Sequence, residues 1–187
     1  MGKAIALTSD LPILAIPTTY AGSEMTPICG LTDAGVKTTG RNLRVLPKTV
    51  IYDPALTVSL PASISGPSGL NAIAHCVEAL YADDANPIIS LQAEEGIRAL
   101  AKSLPLMVEQ PENLDARSDA LYGAWLAGTA IGSVGMALHH KLCHTLGGSF
   151  NPAARGYTRS RPCACHALQC RRCARNHVPN RARNGHR

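Results

Sequence analysis

Gly69–Ala82, GLNAIAHCVEALYA, is the stretch that decides how the chain is built. Its apolar residues recur at helical rather than alternating spacing, so it reads as a helix with Leu70, Ile73, Ala74, Val77 and Leu80 on its apolar side. Asn71, His75 and Glu78 follow at i, i+4 and i+7 and share one polar face. Outward from it the helical period continues. The pattern predicts a second helix from about Ile88 to Val108 and a third from about Ala116 to Ser133, whose Ala and Gly positions allow close helix contacts. A fourth candidate is Met136–Asn151, MALHHKLCHTLGGSFN, in which Leu138, Leu142 and Leu146 form an apolar stripe. His140 and His144, four residues apart, lie on a neighbouring stripe and project toward one point. That geometry suits a metal-ligand pair, a proton relay or a polar pocket wall, and equally a partly buried helix whose histidines bond to backbone or water. Residues 63–150 thus read as an antiparallel helical bundle in which two helices each present imidazoles.

Upstream of Pro61 the pattern is different. Leu11–Ile16, LPILAI, fits a short buried strand and runs into PTTYAGSEMT. Pro17, Thr18, Thr19, Gly22 and Ser23 make a loop rich in hydroxyls and backbone N–H groups, a composition that serves a ribose or phosphate as well as it serves an ordinary loop. Ile28–Thr32 and Thr49–Asp53 are two β-like runs, expected to pair antiparallel across a long connection that contains Gly35, Lys37 and Gly40. On its own, Lys37 reads as a solvated loop lysine.

Composition bounds the class. Aromatic residues make up only 4% of the 187-residue chain, which favours helices over an all-β architecture. No long apolar run or signal-like start is present, so the expected protein is soluble and cytoplasmic, with no membrane partner. The net charge of +5 conceals an asymmetry: all 13 acids and nine Lys and Arg lie before Pro152, giving −4, while nine Arg and no acid follow, giving +9. Cys29, Cys76 and Cys143 are most simply small buried residues of a reduced protein.

The runs LPILAIPTTYAGSE, VLPKTVIYDP, GLNAIAHCVEALYA and HHKLCHTLGG, in this order, resemble the iron-containing alcohol dehydrogenase family, closest to its maleylacetate reductase branch. The resemblance covers nearly all of residues 1–151. It implies an α/β fold plus an all-α part, of dehydroquinate synthase-like architecture. Residues 1–60 would be the C-terminal part of a Rossmann-like NAD(P)-binding domain, and 61–151 a partial helical catalytic domain. The family's glycine-rich pyrophosphate loop lies just before a segment like Gly2–Leu7, so the resemblance implies a truncated N-terminus, half a cofactor site and a fragment without activity of its own.

The resemblance further implies that Thr18, Thr19, Gly22 and Ser23 border NADH or NADPH and that Lys37 is the cofactor-side lysine. In metal-dependent relatives an aspartate and three histidines hold a divalent ion. Those positions fall at Asn71, His75, His140 and Ala154, so the site is degenerate and a metal is not expected to be required. His144 corresponds to a histidine on the nicotinamide side. The implied reaction is hydride transfer to the conjugated double bond of maleylacetate, a small dicarboxylate, giving 3-oxoadipate in aromatic-compound degradation. His75, His140 or His144 would supply the hydrogen bond or proton. The runner-up is a metal-dependent, NAD-linked alcohol dehydrogenase. The intact enzyme is compatible with a homodimer.

The tail, 152–187, contains Cys163, Cys165, Cys170 and Cys173 with His166 and His177. Alone, that spacing suggests a zinc knuckle and the arginines suggest nucleic-acid binding. The near absence of apolar periodicity and of lysine suits neither, so neither partner is expected. An out-of-frame reading of a GC-rich gene fits better. Codons for Pro152–Arg155, read one base later, permit Leu-Pro-His-Ala, which restores the third histidine of the family pattern. The tail is therefore expected to be disordered and out of frame.

Overall fold

The computed structural model describes residues 2–33 and 36–135. The expected fourth helix, with His140 and His144, and the tail lie outside the described residues, as do Cys143 and Ala154. Three long helices dominate: α2 (Ala62–Tyr81), α3 (Pro87–Glu109) and α4 (Leu114–Ser133). All three fall where the periodicity puts them. Their starts are written in the sequence as well: Asn86 accepts from the N–H groups of Ile88 and Ile89, both at 3.1 Å, with Pro87 in the first turn, and Asn113 accepts from Ala116 N at 3.0 Å.

The three helices pack on one another around Cys76, Gly96 and Gly123. A methyl group on Gly96 would stand 2.8 Å from Cys76 Sγ, and one on Gly123 would stand 2.6 Å from Leu100 Cγ. Only small residues permit this approach, which corrects the expected orientation of α2. Its tightly packed face is Ser65, Gly69, Ala72, Cys76 and Ala79, while Leu70 is 40% exposed and Ile73, Val77 and Leu80 are half-buried. The large aliphatic residues flank the crossing because they would hold the helices apart at its centre.

The N-terminal half contains α1 (Gly2–Ser9) and four short strands: β1 (Leu14–Ala15), β2 (Ile28–Asp33), β3 (Val36–Arg41) and β4 (Thr49–Val50). Here the expected pairing is wrong. β2 pairs with β3 in a hairpin, Ile28 opposite Arg41 and Asp33 opposite Val36, and β4 instead runs parallel to β1. The β-branched run Val36, Thr38, Thr39, separated from β2 by only Ala34 and Gly35, carried the hairpin signal. Lys37 accordingly lies in β3 opposite Thr32, not in a loop.

Three cations fasten this half together. Lys3 Nζ on α1 donates to the carbonyls of Ser23, Thr26 and Ile28, each at 2.7 Å. Arg41 donates to Gly132 O at 2.6 Å and Val134 O at 3.3 Å, satisfying carbonyls at the C-terminal end of α4 with a favourable charge. Arg117 on α4, only 1% exposed, donates to the carbonyls of Pro111, Thr57, Val58 and Leu60 and to the Tyr20 hydroxyl. Among the described residues, no helix is long and apolar enough to cross a membrane.

Candidate active site

The α2 polar face survives as the sequence draws it. Asn71, His75 and Glu78 share it, His75 and Glu78 are buried, and Ser68 extends it by a turn. Asn71 Nδ2 lies 3.2 Å from His75 Nε2, and Tyr81 donates to Glu78 Oε1 at 3.4 Å. The loop carrying Thr18 and Thr19 leaves the end of β1 and meets this face: Tyr20 N donates to Ser68 Oγ at 3.0 Å. The loop is therefore tied to α2 one helical turn from Asn71. Thr18 is exposed and Thr19 half-buried.

Gly22 and Ser23 have separate tasks. Gly22 adopts φ +73°, which favours glycine, and a Cβ there would stand 3.0 Å from Gly128 Cα on α4. Its backbone sets the path of the loop over the helix. Ser23 is exposed, and its carbonyl is one of those held by Lys3. Lys37 stands in the hairpin, and nothing joins it to the α2 face in the pairing of its strand. His140 and His144 lie outside the described residues.

Sequence reasoning missed the groups that hold this loop: Lys3, Ser68 and Arg117. Their partners are carbonyls, a backbone N–H and hydroxyls distant in sequence, which leave no local pattern. It also missed Glu24, which accepts from the Tyr52 hydroxyl at 3.0 Å. Burial raises the Glu24 carboxyl above its ordinary value, opposed by a backbone hydrogen bond, by Tyr52 and by the charge of Lys3. Burial and the neighbouring carboxylate both push the Tyr52 phenol up. Burial lowers the Lys3 ammonium, against the pull of Cys29 and Glu24. The two surviving cysteine assignments divide: Cys76 is buried, its thiol pushed up to about 12, and Cys29 is only half-buried on β2.

Two cavities flank Glu24. One of about 890 Å³ lies between α4 and the segment 41–52 and is lined by Arg41, Lys48, Tyr52, Trp125 and Thr129. The other, of about 370 Å³, is lined by Lys3, Ser23 and Cys29. Neither includes Thr18, Thr19, Asn71 or His75, so the larger is not taken as the reaction site despite its size. As a metal site, Asn71 and His75 fit poorly: one neutral amide and one imidazole are hydrogen-bonded to each other and bring no anionic ligand. Among the described residues no group of three or more His, Cys, Asp or Glu could hold an ion.

Sequence matches over most of the chain place it among oxidoreductases. The chain is a member of the iron-containing alcohol dehydrogenase family: residues 1–54 match the iron-containing alcohol dehydrogenase model and residues 66–158 the model of the family's C-terminal part. Within that family it is 64% identical to the maleylacetate reductase of Burkholderia cepacia over 169 residues, which is 90% of this chain and 47% of that protein. The crystal structure of maleylacetate reductase from Rhizobium sp. strain MTP-10005 superposes with a TM-score of 0.81 at 58% identity, covering 84% of this chain and 45% of that one. Sulfoacetaldehyde reductase from Bifidobacterium kashiwanohense, solved in complex with NAD+, superposes with a TM-score of 0.73 at 27% identity, covering 79% of this chain and 40% of that one. The chain spans about half the length of the curated relatives it matches.

Proposed function

We propose that the enzyme built on these residues is a maleylacetate reductase of the cytoplasm. Residues 1–60 form the C-terminal part of its NAD(P)-binding α/β domain, with the pair β1 and β4 as a remnant of its parallel sheet, and residues 61–151 belong to its helical catalytic domain. The observation that carries the proposal is the bond from Tyr20 N to Ser68 Oγ, which ties the loop containing Thr18 and Thr19 to α2 one helical turn from Asn71. The identity with maleylacetate reductases supports the choice of substrate.

Bound NADH or NADPH supplies the hydride. Thr18, Thr19 and Ser23 border it through their hydroxyls, while Gly22 keeps the loop against α4. Hydride addition to the double bond conjugated to the keto group leaves negative charge on the keto oxygen. His75, with His140 and His144 as the other candidates, donates the hydrogen bond that stabilises this charge, and a proton delivered to the adjacent carbon completes 3-oxoadipate. Asn71 in place of an anionic ligand favours this protein-donor reading over a metal-dependent alcohol dehydrogenase.

The test is a chimera in which residues 2–135 replace their counterparts in the Burkholderia cepacia enzyme. It is expected to oxidise NADH or NADPH on addition of maleylacetate, at a rate that EDTA leaves unchanged. A folded chimera that ignores maleylacetate removes the substrate assignment, and a rate restored only by Zn²⁺ or Fe²⁺ removes the metal-independent mechanism.

A further inference from the structure

We propose that Tyr20 is a positioning residue: through a one-way chain of hydrogen bonds anchored on Arg117 it fixes the Thr18–Thr19 loop against α2 in the conformation that receives the nicotinamide cofactor. The inference rests on the reading of that loop as cofactor-binding and gives a task to a residue to which the resemblance assigns none.

The Tyr20 side chain is fully buried, although the threonine two positions before it is exposed. Its hydroxyl accepts from Arg117 Nη1 at 3.0 Å and donates to Thr57 Oγ1 at 3.2 Å, and Thr57 Oγ1 donates in turn to Pro54 O at 2.8 Å. Every hydroxyl in the chain uses its single proton once and accepts once, so the direction runs from guanidinium to phenol to threonine to carbonyl. Such chains polarise in one sense and strengthen link by link in a buried setting. Arg117 is itself immobilised by four carbonyls, from Pro111, Thr57, Val58 and Leu60. The anchor therefore belongs to α4 and to the turns around 54–60 and 111, not to the loop.

At its other end Tyr20 uses its backbone N–H on Ser68 Oγ, on the polar face of α2. One residue thus joins two bodies, and the backbone that presents the Thr18 and Thr19 hydroxyls is held immediately next to the junction. Placing a cofactor's reacting carbon demands a loop that does not wander, since a misplacement of about 1 Å can cost about a hundredfold in rate.

The test uses the chimera described above, in which residues 2–135 stand within an enzyme that supplies the rest of the cofactor site. Tyr20→Phe keeps the buried ring and removes only the hydroxyl. Ser68→Ala, a milder change, removes the acceptor for the loop backbone. Amide hydrogen exchange and NADH affinity, read from NADH fluorescence, are measured on each. Both variants are expected to speed exchange across residues 17–23 about tenfold, the size of one lost hydrogen bond, with exchange in the core of α3 unchanged. Both are also expected to weaken NADH at least about fivefold. Unchanged exchange at 17–23 in both variants overturns the proposal. So does acceleration spread evenly over the chain, which would make the bonds merely structural, and so does a loosened loop with wild-type NADH affinity. A chimera with residues 2–135 unaltered that takes up no NADH overturns the cofactor reading and this role with it, while the exchange data still report separately whether the brace holds the loop.

Discussion

Cys76, Gly96 and Gly123 let α2, α3 and α4 cross closely, whereas the N-terminal half is held by Lys3, Arg41 and, from α4, Arg117, which reach across the chain to grip carbonyl oxygens. The first kind of cohesion comes from removing side-chain volume and is distributed over many weak contacts. The second is concentrated in a few donors, each serving several backbone acceptors distant from it in sequence. The contrast suggests that the helical half should tolerate modest changes at its margins, while single polar substitutions should dismantle the N-terminal half.

Arg117→Ala attacks the contrast hardest. It takes the guanidinium from the Thr57, Val58, Leu60 and Pro111 carbonyls, of which Thr57 O keeps only Leu60 N and Leu60 O only Ser65 Oγ, removes the partner of Tyr20 and opens a cavity, and is expected to cost at least about 3 kcal/mol in urea denaturation. A loss under about 1 kcal/mol would mean that water replaces the guanidinium and that the ties are not concentrated as described. Gly128→Ala tests the seam between the halves, because the added methyl would stand 2.5 Å from Gly22 O and 3.0 Å from Gly22 Cα, both backbone atoms. The expected cost is about 1–3 kcal/mol. Gly40→Ala is its control: Gly40 is exposed on β3, no atom beyond its chain neighbours lies within 4 Å of a Cβ there, and a gain of up to about 1 kcal/mol is expected because glycine weakens a strand.

The smallest effect concerns pH. Burial raises the folded-state pKa of Glu24 above its ordinary value of 4.5. Its contribution to stability is therefore fully present below the unfolded value and is lost as pH rises through the folded one. Glu24→Gln keeps an oxygen to accept from Tyr52 and has no charge to bury, so its stability relative to wild type should improve as pH climbs from about 4.5 toward neutrality. Melting temperatures of the two proteins across that interval measure this, and parallel curves would count against the buried carboxylate.

The same contrast explains what could be read from sequence. Helices α2, α3 and α4 were legible because periodicity is a local signal, and the Asn71–His75–Glu78 face followed from spacing alone. Which side of α2 packs most tightly was not, because Gly69 and Cys76 look unremarkable until the helices that cross them are known. The parallel partner of β1 lies more than thirty residues away at β4, beyond any local signal, and the hairpin was misassigned because the polar Lys37–Thr39 segment hid its β-branched residues. The loop residues Thr18 and Thr19 could be marked by composition, but their anchor on Arg117 could not, since nothing near position 117 in the sequence points to position 20.

The contact between Asn71 and His75 has one more consequence. A carboxylate at position 71 could only accept, so it would reward the imidazole for keeping its proton. An amide has two ends: turned one way it offers NH2 to a bare ring nitrogen, and turned by half a revolution it offers oxygen to a protonated one. Residue 71 can therefore pair with His75 Nε2 in either tautomer of the ring, at the expense of a side-chain rotation and without bringing a charge to this face.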